Sequence, residues 1–287
     1  MAKIFDKTGK YYYVAGDVDR LTRNFDSAIE NYDRALGMQY NKYQTFSRRA
    51  GIYTEMGDYE KAIADYMEVL KIQPDDLLTH NRLAFVYYGA KKFDEAIVSI
   101  KKVIESRKEQ PFLALDYEFL GRVYRTIGRQ KEAAENFEKA IGVLNSISDE
   151  EFSALIKDVK IEDLKKDIGL KLALALSKSG QINNALAQVK KIISKYPKDA
   201  ESYCTLSGIY NAADRFSDAI KAANDGLKIQ SNNDFCMYNL GKAYYMNGNL
   251  AQAKNVFQQF LDLAKNFVDP AYDNMRLYAQ NALAKIK

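Results

Sequence analysis

The sequence predicts an all-α protein built from repeated pairs of helices. Three observations lead to this fold class. The 287 residues include only 4 Pro and 15 Gly, which is few for the many turns of an all-β chain of this length. Alanines recur at a regular spacing, and between them apolar residues recur every third or fourth position, which is the helical period. With 47% apolar and 28% charged residues, the chain can bury a core.

The repeat is clearest at seven alanines. They are Ala28, Ala62, Ala96, Ala133, Ala185, Ala219 and Ala253, and their successive spacings are 34, 34, 37, 52, 34 and 34. Twelve positions before each alanine stands a small residue: Gly16, Ala50, Ala84, Gly121, Ala173, Ser207 and Gly241. Nine positions before each stands Tyr or Leu, except for Asp19 in the first unit. A period of this length is typical of stacked helical repeats.

Each repeat is expected to contain two helices joined by a tight turn. Gly57 lies in one such turn, where a helix end commonly needs a residue with positive φ. The small residue lets the two helices approach closely. Pro74 and Pro197, each twelve positions after its alanine, end the second helix. Since one pair cannot bury its apolar face alone, neighbouring pairs must share a core.

This pattern of a small residue, a Tyr three positions later, the alanine and the trailing proline resembles the tetratricopeptide repeat over about residues 9–265. The resemblance implies a right-handed α-solenoid of about seven helix-turn-helix repeats with a C-terminal capping helix. The expected segments of this one continuous solenoid are repeats one to four at 1–145, an inserted helical segment at 146–165, repeats five to seven at 166–267 and the cap at 268–287. Four residues depart from the usual pattern: Asp19, His80, Lys91 and Gly169.

The longest spacing, from Ala133 to Ala185, exceeds the usual period by eighteen positions. Within this insertion, Ser148 to Glu151 form a capping-box pattern, which predicts an added helix, or an extended second helix followed by a short one. Two roles remain open: a passive insertion, or a hinge between two segments of the repeat array.

Near the C-terminus, Asp269-Pro270 is a helix start signal. An amphipathic pattern follows, formed by Ala271, Met275, Tyr278, Ala282 and Ile286. We expect a helix that caps the array, with a partner-binding helix as the alternative.

The sequence offers little for catalysis. The only histidine, His80, lies at a register that holds an aromatic residue in other repeats, so we expect a packing role. Cys204 and Cys236 are interpreted as isolated thiols, and with a single histidine they fall short of a zinc site. No phosphate-binding GxxxxGK[ST] or GxGxxG motif occurs. The prediction is therefore a protein without enzymatic activity, cofactor or metal.

The resemblance implies that the positions eighteen, fifteen, eleven and eight before each alanine line a concave groove. Two groups there combine aromatic and charged side chains. The first comprises Asn81, Phe85, Tyr88, Glu118, Arg122 and Arg125. The second comprises Phe235, Tyr238, Lys242 and Tyr245. Apolar anchors beside a cation suit a peptide that carries an acidic group. In the alternative interpretation these aromatics only pack across the groove.

The favoured function is a scaffold or adaptor that binds a protein or peptide segment in the groove. Two alternatives stay open: a peptide-responsive switch hinged at the insertion, and an RNA-binding repeat array. Acidic residues interrupt the basic surface that RNA would need, which disfavours nucleic acid: Asp17, Glu118, Asp167 and Glu201.

The net charge of +4 is too small to identify a partner. Residues 1–7 contain no apolar signal-peptide region, and no apolar run is long enough to span a membrane. We therefore expect a cytoplasmic location, with a periplasmic or exported one if a leader has been trimmed from the sequence.

Overall fold

A computed structural model describes residues 2–265 and 270–286, and within this part of the chain all regular secondary structure is α-helical. The chain forms two compact units, Met1–Val123 and Tyr124–Lys287. The helices that begin in unit 1 are α1 (Ala2–Leu21), α2 (Phe25–Gly37), α3 (Lys42–Met56), α4 (Tyr59–Ile72), α5 (Leu77–Gly89), α6 (Phe93–Ser106) and α7 (Gln110–Thr126).

Unit 2 contains the helices that follow α7. They are α8 (Gln130–Asn145), α9 (Asp149–Leu155), α10 (Ile161–Lys178), α11 (Ile182–Lys195), α12 (Ala200–Ala212), α13 (Phe216–Ile229), α14 (Asp234–Met246), α15 (Leu250–Ala264) and α16 (Pro270–Lys285). In unit 1, α1 packs on α2, α3 on α4 and α5 on α6. In unit 2, α10 packs on α11, α12 on α13 and α14 on α15. The predicted all-α helical-repeat fold is confirmed.

The turns between paired helices share one backbone geometry. Five positions before each of the seven alanines, φ is positive: Arg23, Gly57, Lys91, Gly128, Gly180, Asp214 and Gly248. The next residue donates its N–H to a carbonyl five positions earlier, as Asp58 does to Tyr53 (2.8 Å) and Lys92 to Tyr87 (2.8 Å). This hydrogen bond closes a helix end of the Schellman type. Glycine at Gly57 meets the predicted need, whereas Lys91 adopts the same conformation against its preference.

The small residue in each first helix is required by close contact with the second. A Cβ atom added to Gly16 would lie 2.7 Å from the Tyr32 ring, and one added to Gly241 would lie 2.6 Å from the Phe257 ring. Both aromatic rings are fully buried. The predicted close approach of paired helices is therefore present in both units.

The first helix of a repeat also packs against the second helix of the preceding one, as α3 does on α2 and α12 on α11. Along this joint Ile52 and Ile209 are fully buried. Each unit thus has its own core, formed both within helix pairs and between neighbouring pairs.

The inserted segment forms a separate short helix, α9. The Ser148 hydroxyl accepts from the Glu151 N–H (3.2 Å), and the Glu151 carboxylate accepts from the Ser148 N–H (3.0 Å), as the capping-box pattern predicts. Phe152 is buried. The second helix of the fourth repeat ends at Asn145, so it is not extended into the insertion.

Helix α16 covers the core of the last repeat, which contains Phe257 and Phe260. Its residues in that contact include the predicted Met275, Tyr278 and Ala282. Ile286, which follows the helix, also packs there. The predicted helix start at Asp269 and the side chain of Ala271 lie outside the described residues.

Candidate functional site

An aromatic group in unit 1 brings together residues from α5 and α7. Phe85 stacks on Phe119 with ring centroids 4.1 Å apart, and Tyr88 meets the same ring edge-on at 5.7 Å. The guanidinium of Arg122 lies 5.2 Å from the Phe119 ring centroid, which is within cation–π range. We call Phe85, Tyr88, Phe119 and Arg122 the Phe119 cluster.

The ring of Phe119 anchors this cluster because it is almost fully buried, at 1% exposure. Phe85, which rests on it, is 45% exposed. Sequence reasoning had paired Phe85 and Tyr88 with Arg122, and the structure places all three beside Phe119. Phe119 itself was missed because it stands fourteen positions before its alanine, outside the positions predicted to line the groove. An aromatic residue one turn before Arg122 was the available signal.

The polar members of the first group are engaged within the protein. Glu118 is buried, and its carboxylate lies 3.3 Å from Arg122 one helical turn away. Asn81 donates a hydrogen bond to the buried Asp116 carboxylate (3.1 Å), which also accepts from Arg107 (2.8 Å). Burial raises the pKa of Asp116, although hydrogen bonding and charge from Arg107 oppose that shift. The direct contact of Asn81 is thus structural.

Arg125, the last member of the first group, belongs to unit 2. Burial and then repulsion from Arg125 lower the pKa of Lys178. Two cations therefore lie close together at the carboxyl-terminal ends of α7 and α10.

The second aromatic group is largely covered by α16. Tyr238 packs against Phe260 (5.5 Å) and Tyr278 (5.9 Å between ring centroids), while Lys242 lies 5.6 Å from the centre of the Tyr278 ring. Burial is the main cause that raises the pKa of Tyr238 to about 12. Tyr245 packs against the same core.

Phe235, the remaining member of the second group, is half-buried in the first turn of α14. The predicted cap and the predicted binding group therefore share one surface. Peptide binding at either group stays a prediction.

Cys204 and Cys236 form a disulfide, which corrects their interpretation as isolated thiols. The bond joins α12 to α14, with the two Cα atoms 4.5 Å apart and both residues fully buried. The sequence alone did not predict this disulfide, because the two cysteines are 32 positions apart and no short motif connects them. The separation is two less than the repeat period, which brings residues of neighbouring first helices together.

His80 makes a hydrogen bond within the protein, and its packing role stays a prediction. Its Nε2 donates to the Pro74 carbonyl (2.8 Å). Tyr203, at the same register in a later repeat, donates its hydroxyl to the Pro197 carbonyl (3.2 Å). Among the described residues, no group of three or more His, Cys, Asp or Glu side chains could hold a metal ion.

Models of this repeat match much of the chain. A TPR repeat model matches residues 51–91, and tetratricopeptide repeat models match 75–146, 170–234 and 235–267. The matched ranges end at 146 and resume at 170, on either side of α9. The chain belongs to the tetratricopeptide repeat family. Repeats of this family generally form a non-enzymatic scaffold for protein–protein interaction.

Solved structures of other proteins, a tetratricopeptide repeat protein among them, have the same fold. One from Parabacteroides merdae is 12% identical, with a TM-score of 0.66 over 96% of this chain and 100% of its own. PilW, a type IV pilus biogenesis factor, is 18% identical, with a TM-score of 0.57 over 84% of this chain and 99% of its own. MamA is 21% identical, with a TM-score of 0.53 over 67% of this chain and 93% of its own.

These identities support a shared fold and do not transfer a partner. No curated protein matches the sequence significantly. Within the described part of this tetratricopeptide repeat protein, no helix has the length and apolar character needed to cross a membrane.

Proposed function

We propose that this protein is a non-enzymatic adaptor that binds a peptide segment of a partner protein at the Phe119 cluster. The segment carries an apolar side chain that covers Phe85 and an acidic side chain that meets Arg122. One observation carries the proposal: Phe85 is 45% exposed while its ring rests on the buried Phe119, 4.1 Å away.

The support of Phe119 matters because it reduces the entropy lost on binding. A ring that already packs on a buried neighbour has little freedom left to lose when a ligand covers its other face. Burial of an exposed aromatic surface favours association, and such rings commonly dominate the energy of an interface. The Phe119 cluster therefore offers a preorganised apolar contact.

Arg122 adds a preference for acidic partners. Its side chain is 35% exposed, and the carboxylate of Glu118 on the preceding turn holds the guanidinium near Phe119. A guanidinium has five N–H donors in a planar fork, so one carboxylate does not exhaust its capacity. A ligand carboxylate would bind Arg122 alongside Glu118.

The second aromatic group is assigned a lesser role. A ligand that reached Tyr238 would have to displace Tyr278 of α16, since the two rings already pack together. We therefore place the principal contact in unit 1 and leave Phe235, Lys242 and Tyr245 as a predicted secondary surface.

The proposal is tested with a peptide selected on the full-length protein from a random display library and measured by fluorescence anisotropy. Phe85→Ala and Arg122→Glu should each weaken its binding about tenfold or more. Val98→Ala is the matched control, because Val98 is also an exposed apolar side chain of unit 1, at 69%, but lies on α6 outside the cluster. Equal affinities for wild type, Phe85→Ala and Arg122→Glu would overturn the proposal.

A parallel titration with single-stranded RNA tests the rival ligand class. Steeply salt-dependent RNA binding that survives Phe85→Ala would favour the repeat array as a nucleic-acid binder. Weak binding that is insensitive to Arg122→Glu is the expected result.

The Cys204–Cys236 disulfide supports a working location in an oxidising compartment, since structural disulfides persist there and are rare in reducing ones. This favours the exported alternative over the cytoplasmic one. Alkylation of unfolded protein taken directly from its source cells measures the bond. Two modified thiols per chain without added reductant would contradict the proposed location.

A further inference from the structure

Helix α1 presents an apolar surface that nothing in the described structure covers. Tyr11, Val14, Val18 and Leu21 follow one another at spacings of three and four positions, so they lie along one side of the helix. Tyr11 is 68% and Val18 55% exposed. We call these four residues the α1 face.

Two of these four registers are buried in every later repeat. Two positions identify the joint between neighbouring repeats, seventeen and ten before the repeated alanine, and in the first repeat they hold Tyr11 and Val18. Their later counterparts are at most 4% exposed: Thr45, Thr79, Asp116, Ile168, Ser202, Cys236, Ile52, Val86, Val123, Ala175, Ile209 and Ala243. In α3, α5, α12 and α14 this side contacts the second helix of the preceding repeat. Tyr11 and Val18 therefore occupy joint positions that no helix of the described structure covers, and Val14 and Leu21 extend the same exposed side of α1.

The residue types in the α1 face fit a buried joint better than a solvent-exposed end. Val18 is β-branched and apolar like its counterparts Ile52, Val86 and Ile209, which are all buried. The exposed side of α16 differs, because it carries polar residues such as Asp273, Asn274, Gln280 and Asn281. A terminal helix of a repeat array needs such a polar outer side to stay in water. The α1 face has the composition of a binding surface.

The charges around the α1 face specify the partner. Lys7 and Lys10 are exposed, and together with Tyr11 and Val14 they line a shallow cavity of about 370 Å³. Two acidic residues of α1, Asp17 and Asp19, are engaged within the protein. The Asp17 carboxylate accepts from the Tyr32 hydroxyl (2.7 Å) and lies within ion-pair distance of Arg20 and Arg48.

The second acidic residue, Asp19, accepts hydrogen bonds from Ser27 (2.6 Å) and Asn31 (2.9 Å) on α2. Outward positive charge is thus left next to an apolar surface, and both features favour an acidic amphipathic partner.

We propose that the α1 face binds an amphipathic helix of a partner protein. That helix lays its apolar side on Tyr11, Val14, Val18 and Leu21. It covers Tyr11 and Val18 as the second helix of a preceding repeat covers their counterparts in later repeats. Its acidic residues lie next to Lys7 and Lys10. None of these residues belongs to the Phe119 cluster, so the two binding surfaces can be tested separately.

Two synthetic helical peptides provide the test. They share one leucine stripe and differ only in their flanks, which are glutamate in one and lysine in the other. The full chain is titrated with each labelled peptide at low salt. We expect the glutamate peptide to bind about tenfold tighter or more, and Lys7→Glu/Lys10→Glu to reverse that order. Val18→Asp should abolish binding of both peptides.

A matched control uses the opposite terminal helix. Leu277 of α16 is 56% exposed, so Leu277→Asp changes a similar apolar side chain outside the α1 face and should leave peptide binding unchanged. Because Val18 is itself exposed, Val18→Asp should keep the helical circular dichroism spectrum of the wild type. A loss of that spectrum is handled with Val18→Ser, which removes the apolar contact without adding a charge.

Three results would overturn the proposal. One is equal binding of the glutamate peptide by wild type and Val18→Asp. Another is sedimentation of the chain alone as a dimer that Val18→Asp converts to a monomer, since a second copy would then occupy the face. The third is flotation with phosphatidylserine vesicles that is lost in Val18→Asp, which would assign the face to a lipid surface.

Discussion

Two junctions between neighbouring first helices use the same pair of registers with different chemistry. In unit 1, Asn81 of α5 donates to Asp116 of α7, and Arg107 completes the link. In unit 2, Cys204 of α12 is bonded to Cys236 of α14. Asn81 and Cys204 both stand fifteen positions before their alanine, and Asp116 and Cys236 both stand seventeen positions before theirs. The repeat fixes which positions meet, and each pair of residues then decides how firmly they are joined.

The two junctions differ in what they require from their surroundings. The ionic junction buries a carboxylate, and burial raises the pKa of Asp116 despite the nearby guanidinium. The disulfide buries no charge, but it needs space beside it. A Cβ atom on Gly226 of α13 would lie 2.5 Å from the Cys236 sulfur, so a glycine inside that helix accompanies the bond. A covalent link thus replaces an electrostatic one at a small local cost in helix propensity.

The largest expected effect is at the disulfide. Cys204→Ala/Cys236→Ala should lower the free energy of unfolding by about 3 to 4 kcal/mol, because a cross-link between positions 32 apart restricts the unfolded chain. Urea unfolding followed by circular dichroism measures the change, and reductant should lower the stability of the wild type to a similar extent. If the wild type unfolds at the same urea concentration with and without reductant, the disulfide does not stabilise the junction between α12 and α14.

A somewhat smaller loss is expected at the ionic junction. Arg107→Ala should cost about 3 kcal/mol at pH 7, since it leaves the Asp116 carboxylate buried without its counter-charge. Because the pKa of Asp116 is raised in the folded protein, the folded state binds a proton more readily than the unfolded state. The stability lost in Arg107→Ala should therefore be smallest below the ordinary pKa of aspartate. It should grow as the pH rises through the pKa that Asp116 has in the folded protein.

The control for this variant is Arg107→Met/Asp116→Leu. It removes both charges together and should cost less than Arg107→Ala at pH 7. If Arg107→Ala loses the same stability at pH 4 as at pH 7, the buried carboxylate is not the source of the loss.

The hydrogen bond across the ionic junction should contribute less than the ion pair. Asn81→Ala is expected to cost about 1.5 kcal/mol, because the donor to a charged acceptor is lost while Arg107 still pairs with Asp116. A double-mutant cycle with Arg107→Ala measures how strongly the two contacts depend on each other. A loss as large as that of Arg107→Ala would mean that the junction depends on the amide rather than on the charge.

The smallest expected effect is in the turn before α6, outside both junctions. Lys91→Gly should stabilise the protein by about 0.5 to 1 kcal/mol, because Lys91 has a φ of 60° and glycine adopts that region without steric cost. Gly180→Ala, at the same register in unit 2 with a φ of 86°, is the reverse control and should destabilise by a similar amount. A thermal shift assay measures both variants, and a lower melting temperature for Lys91→Gly would contradict the assignment of strain.

The comparison also separates what a repeat pattern can and cannot predict. The period, the small residues and the turn glycines predicted the helix pairs, because each of these features acts through the backbone or through close helix contact. The capping box predicted α9 for the same reason. The groove residues were predicted by register alone. Register gives the side of a helix, but it does not say whether a neighbour covers that side, as α16 covers Tyr238.

The cysteine pair also shows that the sequence does not say which side chains meet between neighbouring helices. No local pattern links Cys204 to Cys236, so sequence reasoning treated them as separate. Once first helices are stacked, their registers place the two Cα atoms 4.5 Å apart. Phe119 was missed in a similar way, since its register lies outside the predicted groove positions and gives no sign that it supports the exposed Phe85.

By itself, the sequence determined the helical-repeat fold, the positions of the turns and the absence of familiar catalytic motifs, because these depend on local conformation and on periodic contacts. The tertiary structure decided which equivalent positions became a disulfide, an ion pair or an open surface. Those outcomes depend on which side chain arrives from the neighbouring helix. The α1 face illustrates this division most directly, since Tyr11 and Val18 stand at registers that are buried in every later repeat, and no helix of the described structure covers them in the first.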